Sequence, residues 1–226
     1  MKRFIKKSLY KIFVSLFIIF YSFVPPVISM NQLIGLSGNG KLVADAQEIT
    51  FSNITETITE IGLCLDDAAG STQNCTANDV DISNVTNVIF PEGEDGCSSP
   101  EDTVSFTATW EIVPNASQRY DMGIYFAIGD QMTARTGNCS VSTLPNYPLD
   151  TWFNLDEDDC GDVESGSPVY PEISLTVKCL DTDGDNLLNI PYCTAWDNNT
   201  TGYCSGPSDA LPGTTSKCNC PPDGIT

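Results

Sequence analysis

Nine residues hold the chain's most specific chemical pattern: Asp181-Thr182-Asp183-Gly184-Asp185-Asn186-Leu187-Leu188-Asn189. Carboxylates at the first, third and fifth positions of a tight loop converge on one point. The Leu187 carbonyl at the seventh position and an oxygen of Asn189 at the ninth would complete a shell of hard ligands. Such a set suits Ca2+, which takes six to eight oxygens in flexible geometries. The sixth position calls for a sharp turn, and Asn186 tolerates left-handed backbone better than most non-glycine residues. Tyr192 stands at the twelfth position, where a helix–loop–helix calcium site has a bidentate glutamate, so the loop is of another kind. The expected metal ligands are Asp181, Asp183, Asp185, Leu187 and Asn189, with a solvated acidic turn as the alternative. A second stretch, Asp156-Glu157-Asp158-Asp159-Cys160-Gly161-Asp162, is as dense in acids but less regular. Side-by-side carboxylates repel without a counter-ion, so Asp156, Asp158 and Asp162 form a secondary candidate set, for the same ion or a weaker one. An exposed charge run is the alternative there, and Glu92-Gly93-Glu94-Asp95 reads as a solvated loop.

Composition narrows the chemistry further. The 226 residues include 30 Asp+Glu, 10 Lys+Arg, ten cysteines and no histidine. Without histidine there is no Ser-His-Asp or Cys-His mechanism and no imidazole-bound metal. The acidic excess argues against nucleic acid or an anionic membrane surface as partner, since both repel an acidic protein. Ten cysteines point to an oxidising compartment and a disulfide framework. Oxygen-ligated calcium is therefore the metal chemistry best suited to this chain.

The first eleven residues carry Lys2, Arg3, Lys6, Lys7 and Lys11, and an apolar run from Ile12 to Val24 follows. Pro25-Pro26 ends that run, and Val27-Ile28-Ser29 offers small residues for a signal peptidase. This is the order of a secretory signal peptide. An uncleaved anchor needs about 20 apolar residues, more than this run holds. Cleavage is expected near Ser29, giving residues 1–29 as signal peptide and an extracellular, secreted or cell-surface protein with no membrane span after cleavage. The mature chain then keeps all 30 acids but only Lys41, Arg119, Arg135, Lys178 and Lys217, a formal charge of −25. Adaptation to high salt is another source of such an imbalance. Leu211-Pro212-Gly213-Thr214-Thr215 has Thr215 where a sortase signal needs glycine, and no apolar tail follows.

The elements that must position the acidic loops read as strands. In Thr103 to Ile112 every even-numbered residue is apolar and every odd one polar, the alternation of a strand with one buried face. Arg119 to Ile128 again has its large apolar residues at even positions, and the short Pro114–Gln118 connection predicts a β-hairpin. Glu172 to Cys179 turns Ile173, Leu175, Val177 and Cys179 to one side. Weaker strand patterns lie at Glu48 to Ile54, Thr57 to Leu65 and Val80 to Phe90. No run of ten residues keeps a helical apolar period. The expected fold class is all-β, an antiparallel β-sandwich over residues 30–180, followed by a disulfide-stapled, loop-rich C-terminal region over 181–226 that carries the calcium loop.

Cysteine connectivity does not follow from the sequence. Cys64–Cys75 and Cys193–Cys204 would close short loops and are the first expectations; Cys218-x-Cys220 read as a metal pair lacks any histidine or Cys-x-x-Cys partner. Asn-x-Ser/Thr sequons occur at Asn53, Asn74, Asn84, Asn115, Asn138, Asn198 and Asn199; an Asn/Thr/Ser-rich chain produces them by chance, and they matter only in a host that glycosylates.

Two resemblances bear on these readings. The Asp181–Asn189 loop resembles those of thrombospondin type 3 repeats and dockerins, in which a DxDGDxxxD/N run coordinates calcium without the distal glutamate. On a larger scale the chain is similar to uncharacterised secreted bacterial surface proteins with conserved-repeat β-sandwich domains. The residues that carry this are Arg119-Tyr120-Asp121-Met122-Gly123, Thr136-Gly137-Asn138-Cys139, Asp159-Cys160-Gly161-Asp162, Cys193 to Asn199 and Pro212 to Cys220. The resemblance implies a bacterial extracellular surface protein and supplies no functional residue.

Three functions follow as expectations. The first is a non-catalytic secreted or cell-surface module, structural or adhesive, with calcium-stabilised loops and cell-surface or matrix components as partners. The second is a glycan-binding module presenting Trp196, Tyr192 and Tyr203. The third is a glycoside hydrolase working through two carboxylates, the least specific, since 30 acids always offer some pair.

Overall fold

The computed structural model describes residues 57–145, 154–181, 184–212 and 217–226. Nine strands and one short helix follow in chain order: β1 (Ile58–Leu63), α1 (Leu65–Ala68), β2 (Val80–Ile89), β3 (Thr103–Pro114), β4 (Gln118–Ala127), β5 (Asn138–Thr143), β6 (Val163–Glu164), β7 (Glu172–Lys178), β8 (Tyr192–Asp197) and β9 (Lys217–Asn219). The larger sheet runs β1-β5-β4-β8-β9, with β6 pairing the start of β4, and the smaller runs β2-β3-β7. Every pairing between named strands is antiparallel. The all-β expectation therefore holds. The Glu48–Ile54 pattern lies outside the described residues.

The even-numbered residues of β3 and the odd-numbered residues of β7 point into the core as their alternation requires, burying Val104, Phe106, Trp110, Ile112, Ile173, Leu175 and Val177. From the other sheet they meet Met122, Ile124 and Phe126 of β4 and Trp196 of β8. Trp110 and Phe126 pack across the interface with ring centroids 4.5 Å apart.

The expected hairpin between β3 and β4 does not form. The two strands are consecutive in sequence but lie in different sheets: β3 pairs β2 and β7, and β4 pairs β5, β6 and β8. Residues 115–117 thus carry the chain from one layer to the other. Short loops and matching alternation are common to hairpins and to such crossings, because both strands turn an apolar face to the same core. The two patterns are indistinguishable until partners are known.

The odd-numbered face of β4 is not open either. Tyr125 and Ala127 are buried under a second cluster that includes Cys64, Cys75, Cys139, Cys193 and Cys218. All ten cysteines are paired: Cys64–Cys139, Cys75–Cys218, Cys97–Cys179, Cys160–Cys204 and Cys193–Cys220. The expected local pairs Cys64–Cys75 and Cys193–Cys204 are therefore corrected, and Cys218 and Cys220 are staples, not metal ligands. Proximity in sequence loses here because strand order brings distant segments together; β1 pairs β5, so Cys64 at the end of β1 meets Cys139. Bridges spanning 27 to 143 residues constrain the unfolded chain strongly, each worth about 2–5 kcal/mol. β8, beyond residue 181, pairs with β4 inside the larger sheet.

Candidate metal centre

The pairing of β4 with β8 slips by one residue between Tyr120↔Asp197 and Gly123↔Ala195. This β-bulge contains Asp121, whose backbone is left-handed at φ 55°. Bulges re-aim a side chain, and left-handed backbone is tolerated by aspartate better than by most residues. Asp121 is thereby brought against the 154–162 loop, only 4% exposed.

Three carboxylates converge there. Each of Asp121, Asp156 and Asp162 offers an oxygen within 4.8 Å of the other two. Asp162, fully buried, accepts the Asp121 N–H at 3.0 Å with Oδ1 and the Leu155 N–H with Oδ2. By contrast, Oδ1 of Asp121 and both carboxylate oxygens of Asp156 are sealed from solvent and, among the described residues, make no well-formed hydrogen bond, although the backbone N–H groups of Asp156 and Asp158 lie close enough to Asp156 to favour its charged form. No ion pair of the described cations involves these three residues: Arg119 pairs with Asp79, Arg135 with Asp66, and Lys178 with Glu101 and Asp130.

Asp158 and Asp197 enlarge the negative patch. Asp158 is 4% exposed and is already engaged, accepting the Cys160 N–H at 2.9 Å and the Cys204 N–H at 2.7 Å. A Cβ placed on Gly202 would sit 3.5 Å from Asp197 Oδ2 and 3.6 Å from Asp121 Oδ2, so the 198–204 loop closes over the same corner.

The electrostatic consequence is plain. Burial pushes the Asp121 carboxyl up to about 8, helped by the neighbouring carboxylates of Asp158, Asp156 and Asp162. Burial likewise raises Asp162 to about 7, against the lowering effect of the Leu155 and Asp121 N–H groups. Asp156 is raised by burial and by the charge of Asp158. A bound cation would invert this logic and hold all three ionised.

Of the residues singled out by sequence, Asp156 and Asp162 come together, and Asp158 lies beside them with its oxygens committed to backbone N–H groups. Asp121 was missed. In the alternating pattern it is an ordinary polar position of a strand, and only the bulge, a tertiary feature, turns it inward. Among the described residues, the Asp181–Asn189 loop supplies none of the three carboxylates. Asp181 accepts the Gly184 N–H at 2.7 Å and the Asn186 N–H at 3.1 Å, and Asp185 accepts the Leu187 N–H at 2.8 Å. Asn186 is left-handed at φ 67°, as expected. Leu187 is exposed and Asn189 buried, while Asp183 lies outside the described residues. Among the described residues, the Asp121–Asp156–Asp162 group is the one that gathers three possible metal ligands.

Two surface cavities, of about 460 and 310 Å³, flank β1 and contain none of these carboxylates. Trp196 and Tyr192 are buried and Tyr203 is exposed, so one of the three aromatics considered for glycan contact faces solvent. Comparison with known proteins gives no match: no family model, no curated protein and no solved structure is similar to this chain. Among the described residues no helix is long and apolar enough to cross a membrane.

Proposed function

We propose that this protein is a non-catalytic, secreted or cell-surface structural module whose sandwich is locked by disulfides and by one calcium ion held by Asp121, Asp156 and Asp162. The observation that supports it is the set of three buried oxygens, Asp121 Oδ1 and both of Asp156, that no well-formed hydrogen bond and no cationic side chain satisfies among the described residues. Buried polar groups are almost always partnered, and buried carboxylates are paired or bind metals. With every cysteine bridged and no histidine in the chain, oxygen is the one ligand type on offer, which selects a hard cation. A loop-borne site with carboxylates at flexible spacing fits Ca2+ better than Mg2+, which demands near-ideal octahedral geometry and keeps its waters.

Sealed ligands speak for a structural ion. A glycosidase would need its carboxyl pair facing a cleft, and the raised carboxyls here are packed against each other and away from solvent. The paired cysteines fit an oxidising compartment and, with the N-terminal signal-like segment, support export. Cell-surface or matrix components are then the partner class, with glycan binding through exposed loops as the alternative. The 181–189 loop is a second, more exposed place for an ion.

Thermal melting tests the reading. For protein stripped with EDTA, calcium at a hundredfold excess over Kd adds about 2.7 kcal/mol, a rise of roughly 5–10 °C for a domain of this size. Asp121→Asn and Asp162→Asn should abolish the rise, and Asp181→Asn should preserve it. Identical melting with EDTA and with millimolar calcium would remove the metal from the proposal.

A further inference from the structure

We propose that the Cys160–Cys204 disulfide assembles the calcium site, with Asp158 as the positioning residue between them, so that cation binding and formation of this one bridge are coupled. The inference rests on the calcium reading above and adds its regulation. Its ground is the placement of the bridge. Cys160 lies four residues after Asp156 and two before Asp162; Cys204 lies two residues after Gly202, which covers the carboxylates of Asp121 and Asp197. The bridge therefore fastens together the two loops that enclose the cluster, and both of its cysteines are buried.

Asp158 straddles the bridge. One of its oxygens accepts the N–H of Cys160 and the other the N–H of Cys204. The Asp159 N–H returns to the Cys204 carbonyl at 3.0 Å, and the Tyr203 hydroxyl donates to Asp159 at 3.0 Å. On the far side, the loop is tied to the sheets by Met122 N–H to Gly161 O at 3.3 Å and Gly161 N–H to Leu144 O at 2.8 Å. Closing this corner brings Asp121, Asp156, Asp158, Asp162 and Asp197 near one another. Wherever they are ionised, their mutual repulsion opposes closure until protons or a cation neutralise it, and closure is what brings the two sulfurs into reach. By linkage, whatever factor calcium contributes to bridging is the factor by which the bridge tightens calcium.

The covalent step is ordinary thiol–disulfide exchange. The thiolate of one cysteine attacks a disulfide oxidant such as oxidised glutathione, forming a mixed disulfide and releasing one glutathione thiolate. The thiolate of the other cysteine then attacks the protein sulfur of that mixed disulfide, forming Cys160–Cys204 and releasing the second glutathione. Two electrons pass to glutathione, the two released thiolates take up the protons lost by the cysteines, and calcium is not consumed.

The test uses the full chain with calcium as the probe. Titration calorimetry should give wild type and Cys97→Ser/Cys179→Ser the same Kd, and Cys160→Ser/Cys204→Ser a Kd weaker by about tenfold or more. Asp158→Asn keeps one acceptor but sets its amide against the other N–H. It should therefore lower the melting temperature in EDTA and also weaken calcium binding; a purely structural residue would lower the melting temperature and leave the calcium Kd unchanged. Should the double serine variant fail to fold, refolding of reduced wild type in a glutathione buffer decides, with disulfides mapped over time by mass spectrometry. Calcium should accelerate the Cys160–Cys204 pair several-fold over EDTA and leave Cys97–Cys179 unchanged. Equal affinities in the two double variants, or a calcium-independent rate for Cys160–Cys204, would overturn the coupling. If wild type itself binds no calcium, the structural-calcium reading falls, and this inference with it.

Discussion

At the scale of single residues, the metal centre makes a signed statement about pH. The folded Asp121 and Asp162 carboxyls sit near 8 and 7, well above the unfolded value of about 3.9. Without metal, the folded state holds these protons more tightly than the unfolded chain. Their contribution to stability is thus fully present below pH ~4 and is lost as pH rises through about 7 to 8. Calcium reverses the trend, because it binds the ionised forms and displaces the protons. Melting temperature in EDTA should therefore fall between pH 5 and 8, while in saturating calcium it should hold or rise. Asp121→Asn should flatten the EDTA curve. A rising EDTA curve over that window would mean that the carboxylates are stabilised by something other than protons or metal.

At the scale of elements, the geometry of the site depends on how tightly the 154–162 loop sits on the end of β5. Gly161 makes that approach: a Cβ there would lie 2.5 Å from the Pro145 carbonyl oxygen and 2.7 Å from Leu144 Cβ. Both are too close for any real side chain, and one is backbone, so the loop must back away. Gly161→Ala should cost about 1–3 kcal/mol, as overpacking does, and should weaken calcium binding, because Asp162 is the next residue. Calorimetry and melting check both; unchanged affinity would show that the ligands do not depend on this docking. The same scale explains what the sequence could reveal. β3 and β7 were legible because one face is buried and the other wet, so alternation survives in Val104 to Ile112 and Ile173 to Val177. In β4 it survives only in part, since Tyr125 and Ala127 are buried under the disulfide layer. Partner choice was illegible: Pro114 to Gln118 looks the same as a hairpin or a crossing, and Cys64 meets Cys139 through sheet order alone. The acidic loop 156–162 announced two of three ligands by density. Asp121 carried no local mark, because its inward turn is made by a bulge against β8.

For the whole molecule, the question is whether calcium acts at one place or as a diffuse counter-ion to a formal charge of −20. The two differ in their response to salt. Repulsion among exposed acids is screened over about 30 Å at 0.01 M ionic strength and about 3 Å at 1 M. A general counter-ion effect should therefore fade as sodium chloride is added, since salt has already relieved the repulsion that calcium would relieve. The oxygens of Asp121, Asp156 and Asp162 lie within 4.8 Å of one another and out of water, where mobile ions screen little. In EDTA, melting temperature should climb smoothly with salt as self-repulsion among the surface acids weakens. At 1 M sodium chloride, calcium should still add a saturable increment, at least half of that seen at low salt, and Asp162→Asn should lack it. An increment that vanishes at high salt would place calcium on the surface rather than in the buried centre. The buried aspartates would then have to be held by protons alone, and the EDTA and calcium curves would fall together with rising pH.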